Sequence, residues 1–332
     1  MKISAAVAAA AFVTGIAASV AVAVTQPGRT RIEDAPVVAI AVTGPSVTYA
    51  VGDNATKTDC AHVYLWRTAG GPTGRWRYGK PTNEPCRESP STGSGISAVA
   101  MSANRSLWIQ YTGGNLRDWQ LFSATRTSPR PRQLAFVEQD VELPSPIVVG
   151  QGTLDAVPYA VMQNVTYLGD NGTPLFKWTA PAAVRLLAAG YGPGGAQVAA
   201  FLDGGELDLL SGTGQVVATY TYPSDAVTAV FLGPAGVVVQ NGSTVEIRNG
   251  AQVKTATLPD GARMFGFGQG RIYYSLSGAI HALQVSTAQD SLLVSPRPGK
   301  STVAAYATAG GFAWATGNQI SWDCAGCVNY GP

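Results

Sequence analysis

The chain has 332 residues, 46% of them hydrophobic and only 13% charged, so it can bury a sizeable core and is not a disordered chain. A net charge of +2 excludes a general nucleic-acid role. The charge is uneven, with +7 over residues 1–132 and −5 over the rest, and 39 glycines promise many turns.

The N-terminus reads MKISAAVAAAAFVTGIAASVAVAVTQPGRT. Lys2 precedes an uncharged run from Ile3 to Thr25 that carries the small-x-small triplet Ala21-Val22-Ala23, and Pro27 then stops any helix. Residues 1–23 read as a signal peptide. Left uncleaved, residues 3–25 are long enough to anchor the chain in a bilayer. Both outcomes place the folded part outside the cytoplasm. Residues 24–35 read as a linker or a ring-closing strand, and 36–332 as the folded domain.

Short apolar runs separated by turn residues fill that domain. The clearest unit runs from Thr228 to Pro259. Thr228–Leu232 is followed by Gly233-Pro234-Ala235-Gly236, Val237–Gln240 by Asn241-Gly242, and Thr244–Arg248 by Asn249-Gly250, before Gln252–Leu258. Val245 and Ile247 alternate with Glu246 and Arg248, which is strand periodicity. This is a four-stranded antiparallel meander, which cannot bury both of its faces alone.

The plan recurs. First strands begin near Val37, Ile96, Ile147, Val184, Val227, Met264 and Thr302, a period of about 40 residues. Those strands are rich in small residues, as in VVAIAV, ISAVAM and VAAYATAG. Around the axis of a ring the innermost strands crowd, and Ala and Gly fit there. A β-sandwich also uses short strands but needs no such period. The expected fold is therefore all-β: a seven-bladed β-propeller of four-stranded meanders, with six or eight blades as the alternatives. The seventh unit shows three clear strands, so GRTRIED or VNYG is expected to complete it. On this architecture the chain resembles the secreted bacterial propeller proteins of the WD40-like, NHL-like and quinoprotein-like group. The WD40 dipeptide occurs once in its expected place, at Trp322-Asp323, and the resemblance carries over no functional residue.

Four cysteines in an exported chain imply two disulfides. In a meander the loops after the second and fourth strands share one end of the blade. Cys60 and Cys86 fall on that end, whereas Cys324 follows a third strand at the other end. The expected bonds are Cys60–Cys86 and Cys324–Cys327. Cys324-Ala-Gly-Cys327 has redox spacing but follows a strand, without the helix N-terminus that would stabilise a thiolate.

Catalytic chemistry is sparse. Of two histidines, His281 sits within a strand and His62 follows Cys60 in the longest loop. There is no nucleophile elbow, zinc-binding helix motif, phosphate loop or EF-hand, and no cofactor or metal is indicated. Glu142, Asp225 and Asp260 stand where inner strands begin, at the channel mouth, with Arg185, Arg263 and Lys300 among them. YLWRTAGGPTGRWRYGK from Tyr64 interleaves arginine with aromatics, a pattern that stacks sugars or binds anions and that an ordinary outer strand also shows.

The first two units exceed the others by about 10–20 residues, much of it in the loops at 52–61 and 79–95. Long loops on a rigid scaffold are where binding sits. The expected function is a ligand- or protein-binding module of the cell envelope or extracellular space. Its binding residues are Lys57, Asp59, His62, Arg67, Arg75, Arg77, Lys80 and Arg87, and its partner is a protein or an anionic envelope polymer. Arg105 and Arg117 are expected to add charge to the same side. The alternative is a propeller hydrolase, lactonase-like or glycan-cleaving, using the channel-mouth carboxylates.

Overall fold

The computed structural model describes residues 29–52, 61–68, 73–79, 94–192, 194–307 and 311–323. Every regular element among them is a strand, and the strands form seven antiparallel sheets of four. The chain is a seven-bladed β-propeller. Blade one comprises Val37–Thr43, Ser46–Val51, His62–Arg67 and Gly74–Arg77. The first strands of the next six blades begin at Gly95, Ile147, Val184, Val227, Arg263 and Thr302, within one residue of expectation.

Each first strand packs against the first strands of both neighbouring blades, and Val37–Thr43 meets Thr302–Tyr306, so the ring closes. Arg29–Ile32 supplies the fourth strand of blade seven by pairing with Gln319–Asp323, for example Arg31 with Ile320. The sheet that finishes the domain thus incorporates its beginning.

The crowding that selects small residues is visible at the axis. A Cβ added to Gly150 in blade three would stand 2.6 Å from the carbonyl carbon of Leu187 in blade four. One added to Gly190 would stand 2.7 Å from that of Leu232 in blade five. No side chain fits at those separations.

The core is divided into clusters between successive blades. Between blades one and two, Trp108 is fully buried and stacks with Tyr78 at 5.6 Å and Phe122 at 5.8 Å. Such aromatic pairs add about 1 kcal/mol each beyond area burial. Outermost strands such as Gln252–Thr257 stay largely exposed.

The Thr228–Pro259 unit forms the expected meander, with one refinement. Asn241 pairs across its hairpin with Thr244, so Gly242 and Ser243 make the turn. Gly242 takes the first corner at φ +60°, as a type II′ turn requires of that position.

Candidate functional site

The second-to-third and fourth-to-first connections of all blades lie at one end of the ring, termed upper here. The expected binding residues divide between the two ends. Lys57, Asp59, Lys80, Arg87 and all four cysteines lie outside the described residues. His62 begins a third strand at the upper end. It is buried, edge-on to Tyr64 at 6.1 Å, with Nδ1 3.3 Å from the Arg77 guanidinium. Arg77 is exposed at the same end.

Arg67 and Arg105 correct the expectation of one basic surface. Arg67 ends its strand opposite Ser46, at the lower end. Arg105 opens the second strand of blade two at the lower end and is consumed there: Nη1 donates to Ser123 Oγ at 2.8 Å, and Nε and Nη2 donate to the Asp170 carbonyl at 3.2 and 3.1 Å. The Asp170 carboxylate in turn accepts from Ser102 Oγ and Asn104 Nδ2, clasping blade two to blade three. Successive strands run in opposite directions, so sequence proximity does not put these arginines on one side.

Arg75 turns inward. It pairs with buried Glu33, donates to Tyr49 Oη at 3.1 Å and lies 3.6 Å above the Tyr64 ring. Glu33 also accepts from Tyr49 Oη at 2.6 Å and Arg31 Nε at 3.1 Å. Burial first, and Glu33 second, push the Tyr49 phenol far above its usual range. This cluster fastens the closing strand to blade one and engages Arg75 there, with its side chain 26% exposed.

The extra length of blade two forms a surface not foreseen from the sequence. Its last three strands, Arg105–Gly113, Leu116–Thr125 and Arg132–Asp140, have nine, ten and nine residues, against six in blade five. The hairpin tip after Gly113 overhangs the upper end. On the side facing blade one, register sets Leu116 opposite Asp140, Asp118 opposite Glu138, and Gln120 opposite Phe136. Leu116 is 58% and Phe136 50% exposed, and Leu143 just beyond is 54% exposed. Directly opposed like charges destabilise a sheet by up to about 1 kcal/mol. Among the described residues neither Asp118 nor Glu138 forms an ion pair. On the other side Arg117 lies 4.6 Å over Tyr111 and 5.7 Å from the Trp119 ring. The signal available in the sequence was Leu116-Arg117-Asp118 with Glu138-Gln139-Asp140, which needs the strand register to be read as a charge row.

At the channel mouth a bulge recurs in five inner strands, leaving Val38, Ser97, Arg185, Thr228 and Phe265 without a cross-strand partner. The bulge presents Arg185, whose Nη1 donates to the Ser224 carbonyl at 3.0 Å and whose Nε lies 3.5 Å from Asp203. Asp225, Asp260 and Arg263 are exposed around it, while Glu142 sits in the rim turn closed by Asp140. Glu142, Asp225 and Asp260 are not brought together: among the described residues no group of three His, Cys, Asp or Glu could hold a metal ion. His281 stacks on Tyr274 at 5.1 Å and bonds Asp290 through Nδ1 at 2.9 Å, as a packed strand residue does.

No family model matches the chain, and no curated protein does. Solved propellers of the WD40 type resemble its fold. Raptor from Chaetomium thermophilum is 10% identical with a TM-score of 0.58 over 91% of this chain, which spans 29% of the Raptor chain's length. A chain of the mitotic checkpoint complex is 11% identical with a TM-score of 0.57, over 98% of this chain and 99% of its own. At these identities the likeness concerns the fold alone.

Proposed function

We propose that the protein is an exported interaction module that docks a protein partner on the upper overhang of blade two. The N-terminal run with Ala21-Val22-Ala23 supports export. The observation that carries the docking surface is the row of Asp118, Glu138 and Asp140 beside exposed Leu116 and Phe136. Carboxylates held opposite one another favour a cationic partner, because a basic group relieves their repulsion. Exposed apolar side chains at the same place supply burial of about 25 cal/mol per Å² covered. The partner is therefore a protein presenting basic and apolar side chains, rather than the acidic polymer expected from the arginines of the first two units. Those arginines are dispersed, whereas the acids of blade two share a row.

The test places a photo-activated cross-linker at Leu116 of the full chain in the cells that produce it. One dominant adduct is expected. It should be lost in the Asp118→Lys/Glu138→Lys variant and reduced by salt, because the Debye length falls from about 10 Å at 0.1 M to about 3 Å at 1 M. An adduct indifferent to both changes would overturn the reading, as would an acidic polymer that binds the wild type.

A further inference from the structure

A cleft of about 530 Å³ opens at the upper end between blades six and seven, remote in the ring from blade two. Among the described residues its lining holds the cations Arg297 and Lys300 and the hydroxyls of Ser275, Ser277, Ser301 and Thr302, with no carboxylate. The two cations are positioned by the backbone. Lys300 N donates to the Arg297 carbonyl at 3.1 Å, with Pro298 and Gly299 between them and Gly299 at φ +68°. Proline at the first corner and a left-handed glycine at the second are the chemistry of a type II turn, which brings its end residues within about 7 Å. Pro296 stiffens the approach on the other side of Arg297.

Contacts from blade seven then hold each side chain. Arg297 Nη1 donates to Gln319 Oε1 at 2.6 Å. The aliphatic stem of Lys300 lies on Gly317, where an added Cβ would stand 2.9 Å from Lys300 Cδ. Two like charges thus stand at the two ends of one tight turn, each side chain in contact with blade seven, in a cleft whose described lining offers neither of them a carboxylate. An anion with several oxygens relieves that repulsion, taking a forked pair of bonds from the guanidinium and a point charge from the ammonium. The hydroxyls of Ser277 and Ser301 line the same space, while Thr302 Oγ1 already donates to the Gly278 carbonyl at 2.9 Å. Its volume exceeds that of an inorganic ion and falls within the range of about 300–1,000 Å³ typical of small-molecule sites.

We infer that this cleft binds a small molecule through its phosphate group, which sits between Arg297 and Lys300. Lys300 belongs to the channel-mouth cations seen in the sequence. The turn gives it a partner, Arg297, and a defined ligand chemistry.

The inference is tested by phosphorus NMR titration of the full chain with inorganic phosphate and with glycerol phosphate, ionic strength being held constant with sodium chloride. Saturable binding of both is expected. It should weaken at least about tenfold, equivalent to 1.4 kcal/mol, in Arg297→Gln/Lys300→Gln. Gly299→Ala keeps both charges but strains the turn, and should weaken binding as well. Arg185→Gln, on the same end but outside the cleft, should leave binding unchanged. Circular dichroism checks that each variant is folded. Absence of saturable binding, equal binding by the double variant, equal loss in Arg185→Gln, or displacement by citrate at the affinity of phosphate would each overturn the assignment.

Discussion

Gly268 lies beneath the phenol of Tyr306: a Cβ added to the glycine would stand 2.5 Å from the ring carbon Cζ. Gly266, two residues earlier on the same inner strand of blade six, meets the root of that side chain, with Cγ 2.9 Å from the added atom. Tyr306 belongs to the inner strand of blade seven and stacks on Tyr273 at 4.4 Å. The two glycines thus make a bare strip on which the next blade rests. Gly266→Ala and Gly268→Ala should each lower stability by about 1–3 kcal/mol, as overpacking does. Gly266→Ala should be the worse, because the base of Tyr306 moves only with its backbone whereas its ring can swing. Urea denaturation of the two variants beside wild type checks both the loss and the order.

A second expectation concerns closure of the ring. Glu33 is buried and gathers Arg31, Arg75 and Tyr49 just after the strand that completes blade seven. Removing one partner of a buried pair leaves the other uncompensated, at a cost of about 3–5 kcal/mol. Arg75 keeps partial exposure, so Arg75→Ala should fall at or below the lower end of that range, and Glu33→Ala should cost less than Arg75→Ala. With Glu33 gone the guanidinium still reaches solvent; with Arg75 gone the carboxylate stays buried, holding only Tyr49 and Arg31. Denaturant midpoints of the two variants give the order. Equal, near-zero losses would show that the cluster does not hold the ring.

The blade count and the inner strands were legible because they depend on local facts: small residues, Gly turns and a repeating length. The closing strand was narrowed to GRTRIED or VNYG for the same reason, since one strand was visibly missing from the seventh unit. Side-chain partners were not legible. Arg75 finds Glu33 across the ring seam, and nothing local announces that pairing. Asp118 meets Glu138 only through the register of two long strands. Strand direction, which spacing alone does not show, separates the arginines of YLWRTAGGPTGRWRYGK, sending Arg67 down, Arg77 up and Arg75 inward. By contrast Pro298-Gly299 is a turn on its face, and its meaning appears once Gln319 and Gly317 are seen beside it.

Alkaline titration should reveal the buried phenols. Burial, only partly offset by the bond to Ser106, pushes Tyr78 from 10.0 up to about 12, and burial also pushes Tyr222 up to about 12. In the unfolded chain these groups ionise near 10, while in the folded chain they stay protonated to higher pH. Their stabilising effect is therefore complete below pH 10 and is lost as pH rises from about 10 to about 12, by up to about 3 kcal/mol for a two-unit shift. Urea midpoints measured across that window should fall more steeply for wild type than for Tyr78→Phe. Parallel curves would show that Tyr78 is not the group being titrated.

The cysteines give the last expectation, and it rests on strand ends. Val51 ends the second strand of blade one and pairs with His62, which begins the third, so the segment carrying Cys60 leaves and re-enters at the upper end. Arg77 ends the fourth strand, and the chain leaves it at that same end toward Cys86. Asp323 pairs with Phe312, at the end of a third strand, so the chain proceeds to Cys324 and Cys327 from the lower end. The described strand ends that lead to the two pairs thus lie at opposite ends of the ring, whereas Cα atoms joined by a disulfide lie within about 7 Å. Peptide mapping without reduction should therefore find Cys60 joined to Cys86 and Cys324 joined to Cys327. Reduction should then lower stability chiefly through the first bond, because it closes the longer loop and restrains the unfolded chain more. A peptide joining Cys60 to Cys327 would require the C-terminal segment to climb to the upper end, and the local pairing would be wrong.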